Sequence, residues 1–133
     1  MIYFLDTNIC IHIISGASER ILNKIQKIGI DSVALPSVVA AELLYGAYKS
    51  VKREHNLAKI YQFIRQFTIV GFDSATIQAY GEIRAELERK GTPIGSNDYF
   101  IAAIAKGHNA ILVTNNTREF NRVSNLTIED WTQ

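Results

Sequence analysis

Ile2-Tyr3-Phe4-Leu5 is an unbroken apolar run that stops at an aspartate, and this one feature narrows the fold more than any other. A strand with one face in water alternates polar and apolar residues, because successive side chains point to opposite faces. A run apolar on both faces needs cover on both sides, as in a parallel sheet between layers of helix. Parallel strands in turn need long crossover connections, usually helical. The rest of the chain supplies that alternation. Val33 to Leu35, Thr68 to Gly71, Ala110 to Val113 and a stretch near Leu126 to Ile128 read as further strands. Between them lie segments with helical spacing. Ser18 is placed to cap a helix with an Ile21, Leu22, Ile25, Ile28 stripe, and Ser37 to cap a long helix through Glu42, Leu43, Leu44 and Tyr48. A further helix covers Glu54 to Phe67, another runs from an Asp73 cap to Lys90 with Gly91 as its stop, and Ser96 caps one that reaches about Lys106. The expected fold is α/β: a three-layer sandwich with a mainly parallel central sheet of about five strands.

The chain has 133 residues without repeat, low-complexity tract or linker, so one domain over residues 1–133 is expected. The single cysteine, Cys10, has no internal disulfide partner and no evident basic neighbour, and reads as a buried thiol. No secretory leader or membrane-length apolar run is evident, which points to a cytoplasmic protein with no membrane partner. Formal net charge is only +1, little for a protein that holds nucleic acid passively through its phosphates. Carboxylates gathered at a site would mask a basic surface. Removing Asp6, Glu42, Asp98 and Glu119 from the 13 acidic residues leaves nine against 14 basic ones.

In open α/β sheets ligands bind beyond the carboxyl ends of the strands, so the residues that follow strands matter most. Asp6 and Asn8 follow the first strand; Glu42 lies in the second turn of the helix after strand two; Asp98 lies in the first turn of the helix begun at Ser96; Asn116 and Glu119 follow strand four. Carboxylates brought together raise one another's pKa unless a cation neutralises them. Oxygen-only ligands suit Mg²⁺ or Mn²⁺, and the chemistry such a site supports is phosphoryl transfer, with an activated water attacking phosphorus. Each acid also has a plain reading. Glu42 can be a solvated helix residue, although its neighbours Val38 to Leu44 are apolar, and Asp98 can simply favour the helix dipole. Asp6 is the hardest to explain away, since an acid directly after a buried strand is a poor way merely to make a turn. Asp31 and Asp73 read as turn and cap acids. His12, His55 and His108 lack metal-ligand spacing, and there is no phosphate-binding glycine loop or nucleophile elbow.

Four segments taken in order carry a family likeness: Phe4-Leu5-Asp6-Thr7-Asn8, Glu42-Leu43-Leu44-Tyr45-Gly46, Ile94-Gly95-Ser96-Asn97-Asp98, and Leu112-Val113-Thr114-Asn115-Asn116 through Glu119-Phe120. The chain resembles the VapC-type toxins of the PIN-domain family along its whole length. The resemblance implies an Mg²⁺-dependent endoribonuclease that cleaves structured RNA, often a tRNA anticodon loop, and is silenced by a VapB-type antitoxin. It implies a homodimer and a toxin–antitoxin hetero-oligomer. Matched by motif, Asp6, Glu42 and Asp98 are the family's core acids and metal ligands. Many relatives carry a fourth acid where this chain has Asn116, and Glu119 is the residue that would complete the catalytic set. Asn8, Thr114, Asn116 and Arg118 would orient ligands or substrate, with Arg122 beside them. An apolar groove for the antitoxin is expected from the first helix and the Leu43, Leu44, Tyr45 and Tyr48 region, the same residues being candidates for plain core. Phosphohydrolases of the haloacid dehalogenase kind expect a second Asp where Asn8 stands, and receiver domains expect an early acidic pair and a late lysine. A catalytically silent binding module on the same fold is the remaining alternative.

Overall fold

A computed structural model describes residues 1–133. Strand β1 (Tyr3–Leu5) is followed by helices α1 (Thr7–Ile14) and α2 (Glu19–Ile28), then by β2 (Val33–Pro36), α3 (Ser37–Tyr48) and α4 (Arg53–Ile64). Strand β3 (Thr68–Val70) leads into α5 (Ser74–Arg89) and α6 (Ser96–Gly107), and β4 (Ile111–Val113), α7 (Thr117–Phe120) and β5 (Ile128–Glu129) close the chain. All five strands are parallel, in the order β3-β2-β1-β4-β5, so the apolar first run is the centre of the sheet. Phe4 and Leu5 are buried as that position demands. One cluster of 30 buried residues joins both faces of the sheet to the helices. No helix is long and apolar enough to cross a membrane.

Local signals explain most element ends. The Ser18 hydroxyl accepts from the Ile21 amide, and Asp73 and Thr76 form a reciprocal capping box at the start of α5. Gly91, at φ 72°, takes the left-handed turn that ends α5.

Several boundaries differ from the sequence reading. Ser37 and Ser96 are the first helical residues rather than caps: Pro36 and Gly95 hold the cap positions, and neither helix start has a side-chain cap bond. The helix expected to reach Phe67 ends at Ile64, where the next residues turn to aim Thr68 into the sheet. The last strand is shifted to Ile128–Glu129, because its pairing with Leu112 and Val113 sets the register. The polar stretch after β4 contains the short helix α7, which local propensity does not announce.

Candidate metal and active site

The chain leaves β1 toward β2 on one side, while β4 and β5 lie on the other, so the crevice above β1 and β4 is the point where connections diverge. Asp6 stands there. Its amide donates to the Val113 carbonyl at 2.9 Å, which carries the β1–β4 pairing one residue beyond the end of β1. Its two carboxylate oxygens are then fixed separately: Oδ1 accepts from the Thr7 amide at 2.8 Å, and Oδ2 accepts from the Thr114 hydroxyl at 2.8 Å. Asp6 therefore caps α1 as well as facing the crevice, and the two roles use one orientation. Thr114, fully buried, is held in turn because its Oγ accepts from the Asn116 amide at 2.9 Å.

Around Asp6 the fold gathers a cleft whose walls are Asp6, Thr7, Asn8, Glu42, Asp98 and Asn116, with no apolar side chain among them. Glu42 comes from the second turn of α3 and accepts from the Thr7 hydroxyl at 3.1 Å. Asp98 comes from the first turn of α6. Glu119, from α7, accepts from the Asn116 side-chain amide at 2.7 Å, and its negative charge acts on both Asp6 and Asp98. The segments carrying Asp6, Glu42, Asp98, Asn8, Asn116 and Glu119 thus meet at one place.

Arg118 does not join them. It is exposed on α7 and contributes nothing to the cleft wall, while Arg122 donates to the Pro93 carbonyl at 2.9 Å and braces the loop before α6. Thr7 is the cleft residue that sequence reasoning passed over. The available signal was its position directly after Asp6, in the first turn of a helix begun by that acid.

Electrostatics follow from the crowding. Burial pushes the Asp6 carboxyl above its ordinary range against the pull of its bonds from Thr114 and Thr7, and the negative Glu119 adds to the rise. The Asp98 carboxyl is pushed up to about 7, first by burial, then by its hydrogen bond with Glu119 and the negative charges of Asp6, Glu119 and Glu42. With its carboxyl pushed up to about 7, Asp98 is partly protonated near neutrality when no cation is present. Cys10 is wholly buried on the same helix as the cleft, and burial together with the Asp6 charge pushes its thiol up, which makes it unreactive.

No basic side chain lines the cleft to neutralise these acids. Nor are three carboxylate, histidine or cysteine groups drawn tightly enough to cage an ion unaided. An open set of oxygen donors is what suits a hard cation that keeps several of its waters and takes further ligands from phosphate oxygens. The donor set fits magnesium or manganese; it does not fit zinc, which favours nitrogen and sulfur.

Residues 3–126 match the PIN domain family. The chain belongs to the PIN domain family. Among its PIN relatives, the Ribonuclease VapC2 of Rickettsia felis is 44% identical over 132 residues, covering 98% of each chain. The tRNA(fMet)-specific endonuclease VapC of Shigella flexneri is 42% identical, covering 97% of each. The same PIN fold recurs in a chain of the crystal structure of VapBC2 from Rickettsia felis bound to a DNA fragment from their promoter. That chain aligns with a TM-score of 0.93 and 43% identity over 98% of this chain and 99% of its own length. DNA-bound VapBC from Salmonella typhimurium aligns with a TM-score of 0.93 at 40% identity. The all-parallel five-stranded sheet is therefore the family's sheet, and the acidic cleft lies at its carboxyl edge.

Proposed function

We propose that this chain is a divalent-metal-dependent endoribonuclease and the toxin member of a toxin–antitoxin pair. The convergence of Asp6, Glu42 and Asp98 on one polar cleft carries the reading. The names of the Rickettsia and Shigella relatives support RNA, and tRNA in particular, as the substrate class.

Asp6 and Asp98, with Glu42 across the cleft, would hold Mg²⁺ or Mn²⁺. Bound there, the ion supplies Lewis-acid stabilisation of charge on the scissile phosphate and acidifies an attacking water. The protein's own contribution is pre-organisation. Thr114 and the Thr7 amide lock both oxygens of Asp6, the Thr7 hydroxyl restrains Glu42, and Asn116 restrains Glu119. The Glu119 carboxylate, held by Asn116 beside Asp98, would take a proton from the attacking water as the new P–O bond forms, and the leaving oxygen would take one from solvent as the old bond breaks. Asn8, exposed at the cleft edge, can donate to a non-bridging phosphate oxygen.

The partner reading rests on a second feature beside the cleft. Ile11, Ile14, Leu43, Ala47 and Ile60 line an apolar groove that shares Thr7 and Glu42 with the acidic site. Of the residues expected there, Leu43 is buried core that forms the floor, Leu44 is half-buried, and Tyr45 and Tyr48 project away from it. An antitoxin segment of VapB type laid in this groove would end at the carboxylates, where a basic side chain could replace the metal. A homodimer, as the family likeness implies, is part of the same reading.

Antitoxin-free protein incubated with mixed tRNA should cut only when Mg²⁺ or Mn²⁺ is added, and chelator should stop it. Asp6→Asn and Asp98→Asn, nearly isosteric changes, should reduce cleavage to background while the circular dichroism spectrum is retained. Undiminished cutting by either variant, or by the chelated protein, refutes the assignment.

A further inference from the structure

Glu42 separates the acidic cleft from a second depression that the reaction as described does not use. This groove, of about 560 Å³, lies between α3 and α6, with Tyr45 on one side and Phe72, Asn97 and Phe100 on the other. Both helices serve both sites. On α3, Glu42 faces the cleft and Tyr45, one turn later, faces the groove; on α6, Asp98 faces the cleft while its neighbours Asn97 and Phe100 face the groove. A chain anchored by a phosphodiester at the carboxylates therefore has its next residue over the aromatic rings.

From this arrangement we infer that the groove is a nucleotide subsite, which takes the unpaired base next to the cut phosphodiester and stacks it against Tyr45 and Phe72. The inference rests on the ribonuclease reading and deepens it. Three observations favour a base. First, the rings are available: Tyr45 is 64% exposed and Phe72 is 41% exposed, a large loss of hydrophobic burial for aromatic residues. Second, the far wall is a cluster of aromatic rings packed on one another. Phe100 stacks on Tyr80 with ring centroids 4.7 Å apart, and Phe72 meets both Phe100 and Tyr80 edge-on at 5.2 and 5.7 Å. Third, a cation lies beside the groove, against the Tyr45 ring. Lys49 Nζ sits 5.0 Å over the Tyr45 ring, and none of the chain's ion pairs involves it. A nucleotide sandwiched here would present its base to the rings, its edge to the exposed Asn97 amide, and its next phosphate to Lys49. Aromatic stacking with a nearby cation is how proteins hold single-stranded bases splayed from a loop.

The test uses the full chain and a tRNA stem-loop in which its cleavage point has been mapped. Each nucleotide flanking the cut is replaced in turn by an abasic residue. At one of the two positions kcat/KM should fall about tenfold, the scale of one lost stacking contact. Tyr45→Ala should cause a similar fall on the intact stem-loop, Tyr45→Phe should not, and Tyr45→Ala should add little on the abasic substrate. Melting temperature should hold, since the ring is exposed. Full activity on both abasic substrates, or losses from variant and substrate that multiply, overturns the inference and leaves the ribonuclease reading intact. So does a fall in native mass for Tyr45→Ala or Phe72→Ala without sensitivity to the missing base, which would give the groove to a second copy of the chain. Weakened antitoxin capture with unchanged cleavage would likewise give it to the protein partner. An unaltered chain that cuts no RNA removes the parent reading, and this one with it.

Discussion

The Thr114 hydroxyl donates to Asp6 Oδ2 at 2.8 Å across a separation of 108 residues, joining the ends of the two central strands at the floor of the acidic cleft. Because the Thr114 Oγ also accepts from the Asn116 amide at 2.9 Å, one buried hydroxyl sets both the acid's orientation and the path of the chain into α7. A hydroxyl suits the place because it donates and accepts at once.

Thr114→Val keeps the shape and removes both bonds, leaving an unsatisfied carboxylate oxygen and a backbone N–H in a buried setting. The expected cost is about 1–3 kcal/mol in urea unfolding. RNA cleavage should also fall, by about 10- to 100-fold, as when a group that orients a metal ligand is lost. Thr114→Ser should recover most of both. A Val variant with full activity would show that Asp6 needs no such support.

The crowded carboxylates make a prediction about pH. In metal-free protein the Asp98 carboxyl titrates near 7 when folded, above its ordinary 3.8, so the folded state binds more protons than the unfolded state between those values. Stability should fall as pH rises from about 4 to about 7. Asp98→Asn removes the penalty. It should raise the metal-free melting temperature above pH 7, by an amount worth on the order of 1 kcal/mol after solvent screening, and change it little near pH 4. Adding Mg²⁺ at pH 6.5 should release protons from the parent protein and far fewer from Asp98→Asn, which a weakly buffered titration reads directly. Equal release would place the released proton on a group other than Asp98.

Gly107 tests the packing that carries α6, and so Asp98, to the cleft. A Cβ at this position would lie 2.7 Å from the Ala75 carbonyl oxygen and 3.0 Å from the Thr76 Cα, both backbone atoms of α5. Gly107→Ala gains about 1 kcal/mol of helix propensity but must push two helices apart, which costs about 1–3 kcal/mol. A lower urea midpoint is expected, with unchanged activity per folded molecule, because the substitution is at the opposite end of α6 from Asp98. A raised midpoint would mean that the α5–α6 contact is loose.

The central strand, the alternation of strand and helix, the Asp73 cap and the Gly91 stop were legible because each depends on residues a few positions apart. The starts at Ser37 and Ser96 were misplaced by one residue, since Pro36 is still paired in the sheet and Gly95 lies against the Asp98 carboxylate, 3.0 Å from where a Cβ would stand. Helix α7 was not legible. Four residues have little helical preference of their own, and α7 stands where Phe120 is fully buried in the core and Glu119 meets Asn116.

By itself the sequence determined which acids follow which strands, because hydrophobic periodicity sets where strands end and a parallel sheet puts those ends on one edge. Only the tertiary structure decided what the acids do to one another there. The raised carboxyl of Asp98, the Thr7 bond to Glu42, the exclusion of Arg118 from the cleft and the aromatic groove beside it all depend on distances between segments remote in the chain. Local preferences hold no record of such distances, which are settled when helices and sheet pack into a common core.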